Sequence, residues 1–286
     1  MNTIMRSIAW VTDSTSTIDP EFAKKHHIYI VPLRLILGQE AYREGIDLSA
    51  EAFYERMKDE PKVSSSQPPI GEFIELYETL KVKYDDIIAI HCSSELSGTL
   101  NSSLQAAEIA EVPVVGIDSQ AGAFPVREMI MSGIHWHSQG DTVQVIKDKI
   151  QTMVHNMSFY LIPASLHRLH ISGRVSGTQL LLSNLLRIHL LLRFDEGKVI
   201  VEEKIRTFKK AKQKMIDIMK TDIQKIKKVC IMHANNVEEA EEIQKEISGA
   251  HPSLKTEIMT FIPVAGIHAG EGTIAMSWIK HHPAYS

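Results

Sequence analysis

Along the first half of the chain, short apolar runs alternate with stretches of helical periodicity. Residues 8–11 (Ile-Ala-Trp-Val) predict a buried strand that ends in the polar turn Thr12-Asp13-Ser14-Thr15. Asp19-Pro20 reads as an N-cap and first helical residue, since proline lacks the N–H that a first turn leaves unpaired. A second apolar run covers 28–37. Ser49 is placed to cap a helix through Met57, and a helix over 70–82 follows a Ser/Pro loop. Residues 87–91 predict a buried strand, followed by a Ser/Gly loop and a helix over 99–110. Residues 112–117 predict another strand, followed by Asp118-Ser119-Gln120. Strands alternating with helices imply an α/β unit, a parallel sheet with helices on both faces.

The second half is patterned differently. Residues 159–162 predict a strand, with helical pieces near Leu166 and over 179–186. Two β-rich runs, 188–194 and 199–207, flank Asp195-Glu196-Gly197-Lys198, a hairpin turn that demands antiparallel pairing. A lysine-rich amphipathic helix, a strand over 229–232, a glutamate-rich helix and a strand near Ile258 follow. The expectation is two α/β domains, 1–156 with a parallel sheet and 157–286 with a mixed or antiparallel one. No long linker separates them, so they should share a tight interface, a preferred place for a ligand cleft.

Composition narrows the class of partner. The chain has 286 residues, 44% of them hydrophobic, and a net charge of -4. That balance gives no basic field for nucleic acid or anionic lipid. The two cysteines, Cys92 and Cys230, cannot form a disulfide scaffold or a four-cysteine zinc site, and fit a reducing cytoplasm. The first residues do not read as a signal peptide. The longest oily stretch, 179–194, contains Asn184, Arg187, His189 and Arg193 and is too short and charged to span a bilayer.

Four polar loops could carry chemistry. Ser64-Ser65-Ser66-Gln67-Pro68-Pro69 precedes a helix, where hydroxyls and free N–H groups either bind an anion or simply cap. Ser93-Ser94-Glu95-Leu96-Ser97-Gly98-Thr99 offers Ser97 across the sheet edge, with Gly98 permitting close approach, and the same two readings apply. Ser172-Gly173-Arg174-Val175-Ser176-Gly177 exposes Arg174, suited to an anionic partner or to solvent. Gly266-Ile267-His268-Ala269-Gly270-Glu271-Gly272 reads as a glycine-rich loop between a strand and a helix. His268 there could donate to a carboxylate, whose charge would favour the imidazolium. Other signals fail or stay bland. There is no phosphate loop and no nucleophile elbow. The pairs His135/His137 and His167/His170 have no further ligands beside them. The run Lys209-Lys210-Ala211-Lys212-Gln213-Lys214 reads as a solvated helix face, and Met129, Met131, Met153 and Met157 as core.

Taken in order, the motifs resemble the DegV family of fatty-acid-binding proteins, which are similar to the lipid-carrying subunit of bacterial fatty acid kinases. Val11-Thr12-Asp13-Ser14-Thr15 resembles the family's first strand and turn, and Ser65-Ser66-Gln67-Pro68 its T-S-Q-P loop. Leu96-Ser97-Gly98-Thr99 with Ser102 resembles L-S-G-T-Y-x-S-A, and Asp118-Ser119 a central D-[ST] turn. Leu166 through Ser176 resembles L-x-x-L-x-x-G-G-R-[IV]-S, Lys204-Ile205-Arg206-Thr207 resembles K-x-R-T, and the His268 loop G-x-H-x-G-x-G. Departures include Ser65 for threonine, Leu100 for tyrosine, Ser172 for the first glycine, His189-Leu190 for Lys-Pro and Glu271 for proline.

The resemblance implies a non-enzymatic carrier. It would bind a long-chain fatty acid, with the tail in the first domain and the carboxylate at the interface, held by Ser65, Ser66, Ser97 and His268. A separate ATP-binding kinase would phosphorylate that carboxylate, with Arg174 and Arg206 meeting the kinase or the phosphate. No cofactor or metal is implied. The competing expectation is a stand-alone phosphotransferase or hydrolase acting on a small anionic substrate, which would turn over without a partner.

Overall fold

The computed structural model describes residues 6–60, 62–175 and 188–285. The helix expected over 179–186, and Ser176 and Gly177 of the arginine loop, lie outside them. Strand β1 (Ile8–Asp13) runs into a short turn, and helix α1 (Pro20–Lys25) begins under the Asp19 cap, whose carboxylate accepts from the Phe22 N–H at 2.9 Å. Strand β2 (Ile28–Val31) lies parallel to β1. The apolar run 28–37 is not one strand. Pro32 interrupts it, and β3 (Arg34–Leu37) turns away to pair antiparallel with β4 (Glu40–Arg43). Helix α2 (Ala50–Asp59) starts at Ser49, whose hydroxyl accepts from the Ala52 N–H.

Strand β5 (Val63–Ser66) occupies what read as a serine loop and completes a three-stranded sheet, β4-β3-β5. Helix α3 (Ile70–Leu80), strand β6 (Asp86–His91), helix α4 (Thr99–Ile109), strand β7 (Val115–Asp118) and helices α5 (Phe124–Ser138) and α6 (Val143–Asn156) follow. The parallel sheet has the order β2-β1-β6-β7. Alternation along β1 divides its neighbours. Ile8 and Trp10 pack with Met129, Ile130 and Ile146 of α5 and α6, and Ala9 and Val11 with Phe73, Tyr77 and Ala106 of α3 and α4. Of the methionines read as core, Met129 and Met153 are buried, whereas Met131 is 40% exposed.

Gly133 of α5 shows how closely these layers fit. A β-carbon there would sit 2.5 Å from the Trp10 ring. Gly133→Ala is therefore expected to destabilise the chain by roughly 1–3 kcal/mol through overpacking, outweighing alanine's better helix propensity. Calorimetry at several scan rates measures it, and an unchanged melting temperature would contradict the packing described.

The third sheet is six-stranded and mixed, in the order β10-β9-β8-β13-β11-β12. Its parts are β8 (Met157–Ile162), helix α7 (Leu166–Ser172), β9 (His189–Asp195), β10 (Lys198–Ile205), helix α8 (Phe208–Thr221), β11 (Lys228–His233), helix α9 (Val237–Ala250), β12 (Lys255–Thr260), helix α10 (Pro263–Ala269) and β13 (Ile274–Ile279). The expected hairpin is present, with Glu196 and Gly197 at φ 48° and 81°. Alternation again sorts the residues. Leu191, Ile231 and Met276 face α8 and α9, while Leu190, Leu192, Met232 and Ala275 face the first half. There they share one apolar cluster with Leu35, Phe53, Tyr54 and Phe124. Between the two halves the cluster is incomplete, and a cavity remains.

Candidate functional site

Ser65 and His268 come together at the cavity rim from opposite ends of the chain. Ser65 sits on β5 opposite Leu35 of β3. Its hydroxyl lies 2.9 Å from Nε2 of His268. Because side chains alternate along a strand, Ser66 points to the other face; it borders the cavity from an exposed position. His268 is not in a loop, as the glycine spacing suggested, but on α10. Pro263 starts that helix, and Gly270, at φ 92°, ends it before a turn into β13. Gly266 lets α10 press on α2, since a β-carbon there would lie 2.5 Å from the Tyr54 ring.

The imidazole is neutral rather than charged. Burial, with Arg174 adding repulsion, pushes the His268 pKa down to about 4. A neutral ring carries one N–H. With the proton on Nε2, the ring donates to Ser65 and the serine proton is free for a third group. With it on Nδ1, Ser65 donates to the ring and the Nδ1–H is free. Nδ1 is buried and has no partner. Because Nδ1 is closed off from the cavity, it is the first tautomer that leaves a donor, the Ser65 hydroxyl, for a ligand oxygen.

A second group of donors lies at the C-terminal edge of the parallel sheet. The Ser97 hydroxyl is 2.8 Å from that of Thr99, and Ser97 and Gly98 line the cavity. Gly98 begins α4 with no side-chain cap and Ala123 begins α5 likewise, so both helices turn free N–H groups toward this edge. Gln67, which the serine pattern did not single out, lies across Gly98 and donates to Ser102 at 2.6 Å. A β-carbon on Gly98 would overlap its amide.

Behind the rim, Asp13 is fully buried. It accepts from the Thr15 and Cys92 N–H groups and meets Nδ1 of His91 at 3.0 Å. His91 Nε2 reaches Ser103 on α4, and Ser103 reaches Tyr77 on α3. The network ties both helices to the sheet and so fixes the loops that precede them. Burial, reinforced by Asp13, pushes the Cys92 thiol well above its ordinary range, so Cys92 is a neutral part of the wall.

The cavity holds about 650 Å³. Its apolar wall comes mainly from the second half: Phe159 and Leu161 of β8, Leu169 of α7, Phe194 and Val199 of the hairpin, and Phe261. Phe159 stacks between Phe194 and Phe261, with ring centroids 4.5 and 6.4 Å away. The first half adds Leu33, Leu96, Ala121 and Ala123 to this wall beside its polar rim, so both halves line the cavity. The halves are joined beside the cavity where Ser93 donates to the Gly197 carbonyl at 2.6 Å. Arg174 lines the mouth and is exposed. Arg206 does not join it. Val175 bridges Val199 near the start of β10, whereas Arg206 lies past its end, on the order of 20 Å along the strand. Among the described residues no cluster of histidine, cysteine, aspartate and glutamate is placed to hold a metal, and no helix is long and apolar enough to cross a membrane.

Fold and site together define a class: an α/β protein with a parallel and a mixed sheet enclosing an apolar cavity with a hydroxyl and imidazole rim. The chain belongs to the DegV family, whose model, described as "Uncharacterised protein, DegV family", matches residues 7–281. It is 35% identical over 279 residues to a DegV domain-containing protein of Halalkalibacterium halodurans, covering 96% of this chain and 99% of that one. It is 34% identical over 283 residues to protein DegV of Bacillus subtilis, covering 95% and 99%. The crystal structure of Bacillus subtilis DegV, described as a fatty acid binding protein, superposes with a TM-score of 0.88 at 32% identity, covering 96% of this chain and 99% of that one.

Proposed function

We propose that this chain binds a long-chain fatty acid in the interface cavity and presents its carboxylate to a separate ATP-dependent kinase. One observation carries the reading: a continuous apolar cavity opens onto the Ser65–His268 pair and the Ser97 loop. The description of Bacillus subtilis DegV as a fatty acid binding protein supports it. On the order of fifteen methylenes at ~0.8 kcal/mol each supply roughly 12 kcal/mol before ordering costs, so the tail provides affinity. The tail lies against Phe159, Phe194 and Phe261, and the carboxylate takes hydrogen bonds from Ser65, whose proton the His268 ring frees, and from Ser97. Hydroxyls and a neutral imidazole hold it without the strong ion pair that would blunt its nucleophilicity.

A carboxylate oxygen then attacks the γ-phosphorus of ATP held by the kinase. The bond to the β-phosphate oxygen breaks, ADP leaves, and the product is an acyl phosphate. Such transfers depend on positioning and charge stabilisation. Arg174, at the mouth, meets the kinase or the transferred phosphate, and Arg206 serves docking alone. The chain is a cytoplasmic carrier, not an enzyme.

Native mass spectrometry tests the binding step. Purified protein should carry a fatty acid or take up oleate or palmitate, and protein that does neither overturns the proposal. Arg174→Ala should keep lipid binding and lower kinase-coupled acyl phosphate formation. Turnover of a small anionic substrate with no partner present would favour an enzyme instead.

A further inference from the structure

Helix α10 carries His268 yet begins without a cap of its own, because Ile262 at its N-cap has no side-chain acceptor. Pro263 has no N–H, so the first backbone donor is that of Val264. A carboxylate from the other half meets it: Val264 N donates to Oε1 of Glu44 at 2.8 Å. The other oxygen, Oε2, accepts from the Ser14 hydroxyl at 2.5 Å. Ser14 Oγ accepts in turn from the Leu33 N–H at 3.0 Å, and the Glu44 N–H donates to the Leu33 carbonyl. One carboxyl thus joins the turn after β1, the approach to the small sheet and the helix bearing the rim histidine. Glu44 is 3% exposed, between exposed Arg43 and Gly45. Among the described residues no cation pairs with it. A buried acid without a cation is costly to keep for packing alone.

We infer that Glu44 is a positioning residue for His268, its carboxylate form holding α10 in the register that sets the ring against Ser65. The inference rests on the proposed fatty acid site and adds a control of that site by pH. Burial pushes Glu44 up to about 7, opposed by the bonds from Ser14 and Val264 and reinforced by the charge of Asp13. The ionisable groups facing it are Asp13 of β1 and Tyr54 of α2. Burial would raise Asp13, but the bonds from His91, Thr15 and Cys92 outweigh it and keep that carboxyl low. Burial, then the charges of Glu44 and Glu271, keep the Tyr54 hydroxyl high. Neither changes charge near neutrality. Ionised, Glu44 makes charge-assisted bonds of about twice the neutral strength; protonated, one of its oxygens becomes a donor and the hold on α10 weakens.

Oleate affinity measured between pH 5.5 and 8.5 tests this in wild type, Glu44→Gln and Ser14→Ala. Wild-type affinity should rise roughly three- to tenfold through about pH 7. Glu44→Gln should be flat and fixed near the wild-type value at low pH, since the amide keeps both partners without the charge. Ser14→Ala removes a donor to the carboxylate and should move the midpoint to higher pH, a readout that does not require the glutamine variant to fold. The Glu44 contribution to stability must move the opposite way. The native state holds the Glu44 proton up to about 7 and the unfolded chain only to its ordinary 4.5, so this contribution is lost as pH rises through that window. Affinity rising with pH in wild type but not in Glu44→Gln, while the wild-type melting temperature falls relative to that of Glu44→Gln, is not what a merely structural residue gives; the opposite contribution of His268 is common to both and cancels in the difference. Superposable wild-type and Glu44→Gln affinity profiles, or an unmoved midpoint in Ser14→Ala, would overturn the inference. Wild type that binds no oleate at any pH overturns the proposed function instead.

Discussion

Saturating the lipid-free protein with a long-chain fatty acid is expected to raise its melting temperature by roughly 8–16 °C. Ligand at about a thousand times its dissociation constant stabilises the native state by ~4.1 kcal/mol. In chains of this order of length, each kcal/mol moves the midpoint by about 2–4 °C. The size of the effect follows from what the cavity lacks. Phe159, Phe194, Leu161 and Leu169 each keep an apolar face toward about 650 Å³ that no side chain fills, and an acyl tail supplies the missing contacts. Differential scanning fluorimetry with palmitate, octanoate and acetate measures it. The shift should grow with chain length, because the tail and not the head contributes most of the affinity. Ala265→Phe, which puts a ring into the cavity from α10, should abolish the shift while leaving the ligand-free midpoint unchanged or higher. Equal shifts for acetate and palmitate would show that the cavity does not hold the tail.

That cavity was only partly legible in the sequence. The parallel sheet could be read because β1 and β6 are buried on both faces and appear as unbroken apolar runs. The hairpin could be read because Glu196-Gly197 supplies the positive φ that a tight turn needs. Strand β5 could not, since three serines carry no apolar alternation and the strand exists through its pairing with β3. Helix α10 was hidden for a related reason. Its glycines suggest a loop, but Gly266 is there for the Tyr54 ring and Gly270 for the helix end. Glu44 sits in an otherwise exposed polar stretch, and nothing local marks it as buried, because its partner Val264 lies 220 residues away. Ser65, Ser97, His268 and Arg174 were named from their motifs, and the structure places them all on one cavity. What the motifs did not carry was how the two halves share the apolar wall, or the charge of the imidazole.

The charge of that imidazole sets the second large effect. Ser65→Ala and His268→Ala are each expected to weaken fatty acid binding by roughly ten- to a hundredfold, the range for losing a hydrogen bond to a charged group. The double variant should lose less than the product of the two. Ser65 and His268 are bonded to each other at 2.9 Å and offer the ligand one free proton between them, so removing either partner already disturbs the donor. A double-mutant cycle by calorimetric titration reads this coupling directly. Additive losses would mean that the two groups contact the carboxylate independently. Chain length discriminates further: because both groups act on the head alone, the fold-loss should be the same for palmitate and for a shorter acid that still binds. The pH dependence carries the sign of a neutral ring. With its pKa pushed down to about 4 in the ligand-free protein, His268 meets the ligand uncharged at neutrality, and raising the pH through 6.5 removes no cation from the empty site. His268→Gln, which keeps a neutral donor, should therefore recover part of the affinity that His268→Ala loses. An imidazolium would predict the reverse: wild-type affinity falling as pH rises through 6.5, with no recovery by glutamine.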